Sequence, residues 1–181
     1  MSRGLTAMRA GLRRMLRSEA GSATVEFAII FPFYVTLFMT TVELGMITFR
    51  HSMLERGLDV AAREVRLNTG EETSHDQIKD DICEFAGVLP DCADNLRLEM
   101  IIVDPRNYAA PPATADCIDH SEDPNPPRGF TTGVSNQTML LRACYVFSPI
   151  FPTSGLGYAL EKDGAGNAAM VASSAFVQEP R

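Results

Sequence analysis

The sequence lacks the short motifs that identify the common catalytic sites. It contains no H-E-x-x-H pattern, no G-x-S-x-G pattern, no phosphate-binding loop and no dinucleotide fingerprint. Its histidines, His51, His75 and His120, lie far apart and in different surroundings, which is typical of structural or surface residues. We therefore expect neither an enzyme nor a bound cofactor or metal. The alternative that stays open is an enzyme with a single span and a catalytic site of unfamiliar composition.

Charge is also missing from a long stretch near the start of the chain. Between residues 22 and 42 the only charged side chain is Glu26. These 21 residues would extend about 31 Å as an α-helix, roughly the hydrocarbon thickness of a bilayer. The length predicts a transmembrane helix rather than a buried core helix. The predicted span divides the chain into a leader (1–21), a transmembrane helix (22–49) and an outer domain (50–181).

The two flanks of this run differ in charge. Residues 1–21 contain five arginines and one glutamate, whereas residues 50–181 contain 11 basic and 20 acidic side chains. Because basic residues beside a span stay in the cytoplasm, we expect a bacterial inner-membrane protein with one span, a cytoplasmic amino terminus and a periplasmic domain. An acidic domain lacks the basic surface that nucleic acids require, so the lipid bilayer is an expected partner and nucleic acid is not.

The single carboxylate of the run allows two interpretations. Glu26 lies near the cytoplasmic end, where its side chain could reach the headgroups and avoid burial in hydrocarbon. Alternatively, cleavage after Gly21 would make Ser22 the new amino terminus, with Glu26 as the fifth residue. The α-amine and the carboxylate, on the same or a neighbouring subunit, would then neutralise each other in a medium of low dielectric constant.

The residues around this carboxylate resemble a known family. Gly21, the segment Val25-Glu26-Phe27, Pro32 and the segment Val42-Glu43-Leu44-Gly45 are similar to the amino-terminal signature of the TadE-like family. These are the pilin-like proteins of tight-adherence (Flp, type IVb) pilus systems. Residues 175–180 resemble the family's chain end more weakly. The resemblance implies a pilus assembly protein, either a pseudopilin or a minor pilin, and the alternative is an uncleaved periplasmic scaffold with a single span.

The resemblance also implies partners and residue roles. A prepilin peptidase would cleave between Gly21 and Ser22, and the product would assemble with the Flp pilin and other Tad pilus components. Glu26 would pair with a neighbour's amino terminus, and the apolar face from Phe27 onward would pack against other helices. Pro32 removes one backbone hydrogen bond, so it is either a hinge or one of the prolines common in membrane helices. The expected assembly residues are Glu26, Phe27, Pro32 and Glu43.

Few cysteines are present, and none forms the closely spaced pairs that zinc sites favour. The four are Cys83, Cys92, Cys117 and Cys144. All four lie in the part expected outside the cytoplasm, where disulfides persist, although free thiols stay an alternative. Of three possible pairings we favour Cys83 with Cys92 and Cys117 with Cys144, because each joins neighbours along the chain. Loop entropy gives these bonds about 2.7 and about 3.6 kcal/mol.

Periodicity predicts that the helix continues beyond the membrane. After the span, apolar residues recur every three or four positions among charged ones, which indicates one buried face: Leu54, Leu58, Ala61 and Val65. One helix over residues 22–68 is therefore expected, with a stop signal at residues 68–70. The Ser74-x-x-Gln77 capping pattern predicts a second, short helix that ends at Gly87. Its predicted buried face consists of Ile78, Ile82, Phe85 and Ala86.

Three strands are expected in the outer domain, over residues 96–103, 138–147 and 168–177. Packed against the buried face of the helix, they predict an α+β fold, a long membrane helix on a small antiparallel sheet, as in a pilin. The proline-rich loop at 104–137 is long enough to be functional or disordered. Its acidic residues could bind calcium, but their order is not that of an EF-hand, so a solvated acidic loop is the favoured interpretation.

Overall fold

The computed structural model describes residues 22–67, 73–121 and 129–180 of the chain. The elements in order are α1 (Ser22–Leu67), α2 (His75–Ala86), α3 (Cys92–Asn95), β1 (Leu96–Val103), β2 (Thr138–Phe147), α4 (Gly155–Ala159) and β3 (Ala168–Val177). The strands form one antiparallel sheet in the order β1-β2-β3. The predicted α+β arrangement and all three predicted strands are therefore confirmed. The predicted leader at 1–21 lies outside the described residues.

Helix α1 is one continuous helix of 46 residues, which corresponds to a length of about 69 Å. It runs through Pro32 as far as Leu67, and the predicted stop signal at residues 68–70 lies outside the described residues. Its two halves have different surroundings. From Glu43 onward one face packs on the domain, and the four predicted stripe residues, Leu54, Leu58, Ala61 and Val65, are all buried.

The core lies between α1 and α2 on one side and the inner face of the sheet on the other. Strand register places Leu98, Ala143 and Ala172 side by side on this face, because side chains at paired positions point the same way. Tyr145 is buried in the same layer and donates its hydroxyl to the carbonyl oxygen of Pro90 at 2.7 Å. Burial raises the pKa of this phenol, so the hydroxyl remains a hydrogen-bond donor throughout the neutral range.

Helix α2 begins and ends at the predicted signals. The Ser74 hydroxyl accepts from the backbone N–H of Gln77, and Gly87 adopts a left-handed conformation with φ of 64°. Ile78 and Ile82 are buried as predicted, together with Ala86. The predicted burial of Phe85 is wrong, since its side chain is 37% exposed. Residues spaced by four drift by about 40° per step, which turns the buried face toward Ala86 and leaves Phe85 at its edge.

Gly57 is a point of close approach between α1 and α2. A Cβ atom at this position would lie 2.7 Å from the carbonyl oxygen of Ile82 and 3.2 Å from the Cβ of Ala86. Gly45, the other glycine of α1, has no atom within 4 Å of such a Cβ. Of the two glycines of α1, only Gly57 therefore needs to lack a side chain for packing.

This difference predicts opposite effects of the same substitution. Gly57→Ala should lower the free energy of unfolding by about 1–3 kcal/mol, because the added methyl group overpacks the contact with α2. Gly45→Ala should leave it unchanged or raise it by up to about 1 kcal/mol, because alanine is the better helix former. Denaturant unfolding of the full-length protein in detergent micelles, followed by circular dichroism, measures both. Equal effects would show that α2 moves to accommodate the methyl group.

Two disulfides tie the irregular segments to these elements. Cys83–Cys92 joins α2 to α3, and Cys117–Cys144 joins the long loop to β2. Both are the pairs that the sequence favoured. Cys144 belongs to the outer face of the sheet, so the second bond holds the loop over the side that α1 does not cover.

A buried ion pair lies under this loop. Arg142 donates from Nε and Nη2 to Oε2 of Glu99, its cross-strand partner, and from Nη1 to the carbonyl oxygen of Pro112 at 2.7 Å. Both charged side chains are less than one-tenth exposed. The loop is thus fixed to the sheet by a carbonyl as well as by a disulfide, and Glu99 is neutralised by the arginine beside it.

Candidate functional site on the exposed half of the long helix

The first half of α1, residues 22–42, projects from the domain over most of its length, and near its end Thr40 lies against Gly155. Its large apolar side chains are exposed, including Phe27, Ile30, Phe33, Leu37 and Phe38. None of its most apolar 18-residue stretch is buried, and the helix is long and apolar enough to cross a membrane. A core helix of a water-soluble domain would bury such residues, so this half is compatible with the single span that the sequence predicted.

Polar side chains in this half satisfy their hydrogen bonds within the helix itself. The hydroxyl of Thr36 donates to the carbonyl oxygen of Pro32 at 2.9 Å, and that of Thr40 donates to the carbonyl oxygen of Thr36 at 2.8 Å. Thr41 donates in the same way to Leu37. Such internal pairing is what hydrocarbon requires, because lipid offers hydroxyl groups no partner. The helix is unbroken at Pro32, and a hinge there remains a prediction.

The predicted processing and assembly residues lie at the far end of this half. Ser22 is the first residue of α1, while Gly21 falls outside the described residues. Glu26 follows one turn later with an exposed side chain, and the rings of Phe27 and Phe31 lie 5.0 Å apart. The structure therefore places Glu26 and Phe27 where another chain or a lipid headgroup can reach them.

Glu43, the fourth predicted assembly residue, is in a different environment. Its side chain is 1% exposed, although it stands at the end of the apolar half. Oε1 accepts from the backbone N–H of Ile150 at 3.1 Å, and Oε2 accepts from that of Phe151 at 2.8 Å. Hydrogen bonds to a carboxylate are stronger than those between neutral groups. Glu43 therefore binds the segment that follows β2, so within the described residues its contact is intramolecular.

Sequence reasoning missed this segment, although a signal was present. Residues 143–160 contain no charged side chain, and they include two prolines and two glycines beyond the end of β2. A run of this length outside the predicted span indicates a segment that is covered or faces an apolar medium. The partner of Glu43 could not have been found in this way, since more than 100 residues separate it from Ile150.

The outer face of the domain carries a polar groove of about 1260 Å³ beside the long loop. Several of its charged residues have structural partners: Arg97 donates to Asp116, and Asp163 accepts from the backbone N–H groups of Ala165 and Asn167. Hydrogen bonds from Ser121 hold the pKa of Asp119 below its usual value. Across the described ranges no three His, Cys, Asp or Glu side chains are placed to hold a metal ion. Asp116 and Asp119 therefore help to hold the long loop in place, and Asp163 holds the turn before β3.

Comparison with known proteins bears on α1 alone. Residues 21–63 match the family model described as TadE-like protein. No curated protein and no solved structure matches the chain. The matched stretch runs from the predicted cleavage position through the exposed half and into the packed half. The resemblance to the TadE-like family drawn from Gly21, Glu26, Pro32 and Glu43 is thereby confirmed over residues 21–63, and the match covers that stretch alone.

Proposed function

We propose that the chain is a membrane-anchored assembly component of a tight-adherence pilus, a pseudopilin or minor pilin that is cleaved after Gly21. The observation that carries this proposal is the division of α1. One half is bound to a folded domain, and the other half exposes an apolar surface in which Glu26 is the only charged residue. The TadE-like match supports the association with a Tad pilus.

An exposed apolar helix can exchange one apolar partner for another. Lipid tails and the helices of neighbouring subunits both cover side chains such as Phe27 and Phe33, so the same surface can serve in the bilayer and in an assembly. The carboxylate of Glu26 adds specificity, because a charge in apolar surroundings favours a partner of opposite charge, and a neighbour's amino terminus would supply one. A helix with this surface is therefore suited to transfer from lipid into a helical bundle.

The proposal includes a location and partners. The basic leader supports a cytoplasmic amino terminus, and the two disulfides support a domain in the periplasm, where disulfides persist. The partners are a prepilin peptidase, the Flp pilin and other components of the Tad machinery. In this scheme the peptidase reads the leader, and the pilin helices contact the exposed half of α1.

Cleavage is tested by the intact mass of the protein recovered from membranes of cells with and without the cognate prepilin peptidase. We expect a species that begins at Ser22 only where the peptidase is present. Gly21→Leu should abolish that species, because a side chain at this position would obstruct the peptidase. A full-length mass in both cells would contradict processing and leave the uncleaved scaffold as the better description.

The pairing role of Glu26 predicts a loss of assembly without a loss of insertion. Glu26→Ala should be cleaved and should remain in the membrane fraction, because removing a charge makes insertion easier. It should no longer co-purify with the other pilus components, and Glu26→Gln should behave similarly since it lacks the charge. Glu64→Ala, which removes an exposed carboxylate from the packed half of the same helix, is the control. Normal assembly of Glu26→Ala would favour the scaffold.

A further inference from the structure

The segment that follows β2 is apolar and lies on the surface of the domain. We call residues 148–160, which include α4, the apolar loop. It belongs to the 18-residue run without charge at 143–160. Ile150 is 42% exposed and Tyr158 is 73% exposed, so the loop turns large apolar groups outward instead of into the core. Such exposure on an uncharged loop indicates that something apolar covers it.

The place where this loop contacts α1 indicates what covers its exposed apolar side chains. The loop is attached to α1 at two residues, Thr40 and Glu43. Glu43 accepts from the backbone of Ile150 and Phe151, and the backbone of Gly155 approaches Thr40 so closely that a Cβ there would lie 2.5 Å from the threonine Oγ1. The exposed apolar half of α1 ends at residue 42. The loop therefore meets the helix at the point where a span of about 31 Å leaves the hydrocarbon.

The residues that flank the loop are those typical of a membrane–water interface. Lys162 donates from Nζ to the carbonyl oxygens of Pro152 and Tyr158, and its ammonium group lies 6.0 Å from the centre of the Tyr158 ring. On α1, Leu44 is 54% exposed next to Glu43. Tyrosine and lysine are enriched at the headgroup level, where an apolar body enters the acyl region and a polar tip stays in water.

We propose that the apolar loop is a second membrane contact, which inserts Ile150 and Tyr158 into the interfacial layer of the bilayer that α1 crosses. The occupant is lipid because the loop contacts α1 at Thr40 and Glu43, where the exposed apolar half of the helix ends. The loop also covers Glu43, whose carboxylate would otherwise face the edge of the hydrocarbon. With two contacts, the domain has a fixed height and tilt relative to the membrane. The inference rests on the membrane insertion of α1 proposed above and is independent of the pilus role.

Tryptophan fluorescence in proteoliposomes tests the proposal, because the chain contains no tryptophan. Three full-length single-tryptophan variants are reconstituted into phosphatidylcholine–phosphatidylglycerol vesicles. Tyr158→Trp reports on the loop, and Phe33→Trp, at a site 75% exposed, reports on the middle of the span. Tyr108→Trp, at a site 65% exposed on the long loop, is the matched control in water. Each is quenched by brominated lipids and by iodide.

We expect Tyr158→Trp to emit at shorter wavelength than Tyr108→Trp, to resist iodide, and to be quenched most by lipid brominated near the headgroup. Phe33→Trp should be quenched most by lipid brominated deep in the acyl chain. If Phe33→Trp behaves in this way while Tyr158→Trp resembles Tyr108→Trp, the loop lies in water and the inference is overturned. Shielding of Tyr158→Trp from iodide without lipid quenching would assign the surface to a protein partner, which also overturns it. If brominated lipid does not quench Phe33→Trp, α1 does not cross the bilayer, and the inference fails together with the proposed span.

Discussion

Arg142→Met is expected to lower the free energy of unfolding by about 3–5 kcal/mol, the largest effect of any single change considered for this protein. The arginine is the cross-strand partner of Glu99 in the middle of the sheet, and both side chains are almost fully buried. Methionine fills a similar volume but leaves the Glu99 carboxylate without a cation. It also leaves the carbonyl of Pro112 without its donor, so the long loop should detach locally from the sheet.

A second arginine–glutamate pair supplies the control. Arg66 donates to Glu179 at 3.0 Å, but both side chains are substantially exposed, so Arg66→Met should cost at most about 1 kcal/mol. The double variant Glu99→Gln/Arg142→Met should recover part of the lost stability, because no charge is then left buried. Denaturant unfolding in detergent micelles measures all three. Similar losses for Arg66→Met and Arg142→Met would show that burial is not what makes the inner pair important.

Glu43→Ala is expected to release the apolar loop while the sheet stays folded. The substitution removes the acceptor for the backbone N–H groups of Ile150 and Phe151. Hydrogen bonds to a charged acceptor contribute about 1.5–3 kcal/mol, so the loop should open locally with a loss of roughly that size. Hydrogen exchange followed by mass spectrometry should show faster exchange over residues 148–160, with protection of β1 and β3 unchanged.

The control for Glu43 lies on the same helix. Glu55 is an exposed carboxylate that contacts His51 four residues earlier, so Glu55→Ala should leave exchange in the loop unchanged. Glu43→Gln retains one acceptor oxygen and should give an intermediate rate. Unchanged exchange in Glu43→Ala would mean that Thr40 and the packing of Gly155 alone hold the loop. The second membrane contact would then not depend on the carboxylate.

Together these residues explain how a long helix and a small domain act as one body. The packed half of α1 contributes its buried stripe to the core, and Glu43 joins the helix to the loop at the level where the apolar half ends. Glu26 lies at the opposite end of the exposed half with an exposed side chain, and the pilus proposal assigns it a contact with another chain. Glu43 thus fixes the domain to the helix, whereas the role of Glu26 in assembly belongs to the proposal.

The sequence by itself determined the features that depend on local pattern. The length of the uncharged run defined the exposed half of α1, because helix rise per residue is constant. The spacing of Leu54, Leu58, Ala61 and Val65 defined the buried half. Ser74 and Gly87 marked the ends of α2, since capping needs only residues within one or two turns. The strand at 96–103 followed from alternation and the strand at 168–177 from its small apolar residues, and with the strand at 138–147 they predicted the α+β arrangement.

Only the tertiary structure decided the contacts between distant residues. Nothing local indicates that Glu43 would accept from Ile150, that Arg142 would neutralise Glu99, or that Gly57 would touch α2. Each of these depends on which segments the fold brings together, and the two carboxylates are buried only because donors from remote parts of the chain satisfy them. The sequence favoured one of the three possible disulfide pairings. The structure decided among them, because the strand register places Cys144 under the loop that carries Cys117. The pattern of residues along one stretch of chain predicts whether that stretch forms a helix or a strand. Whether a polar side chain in it is buried depends on the element that packs against it.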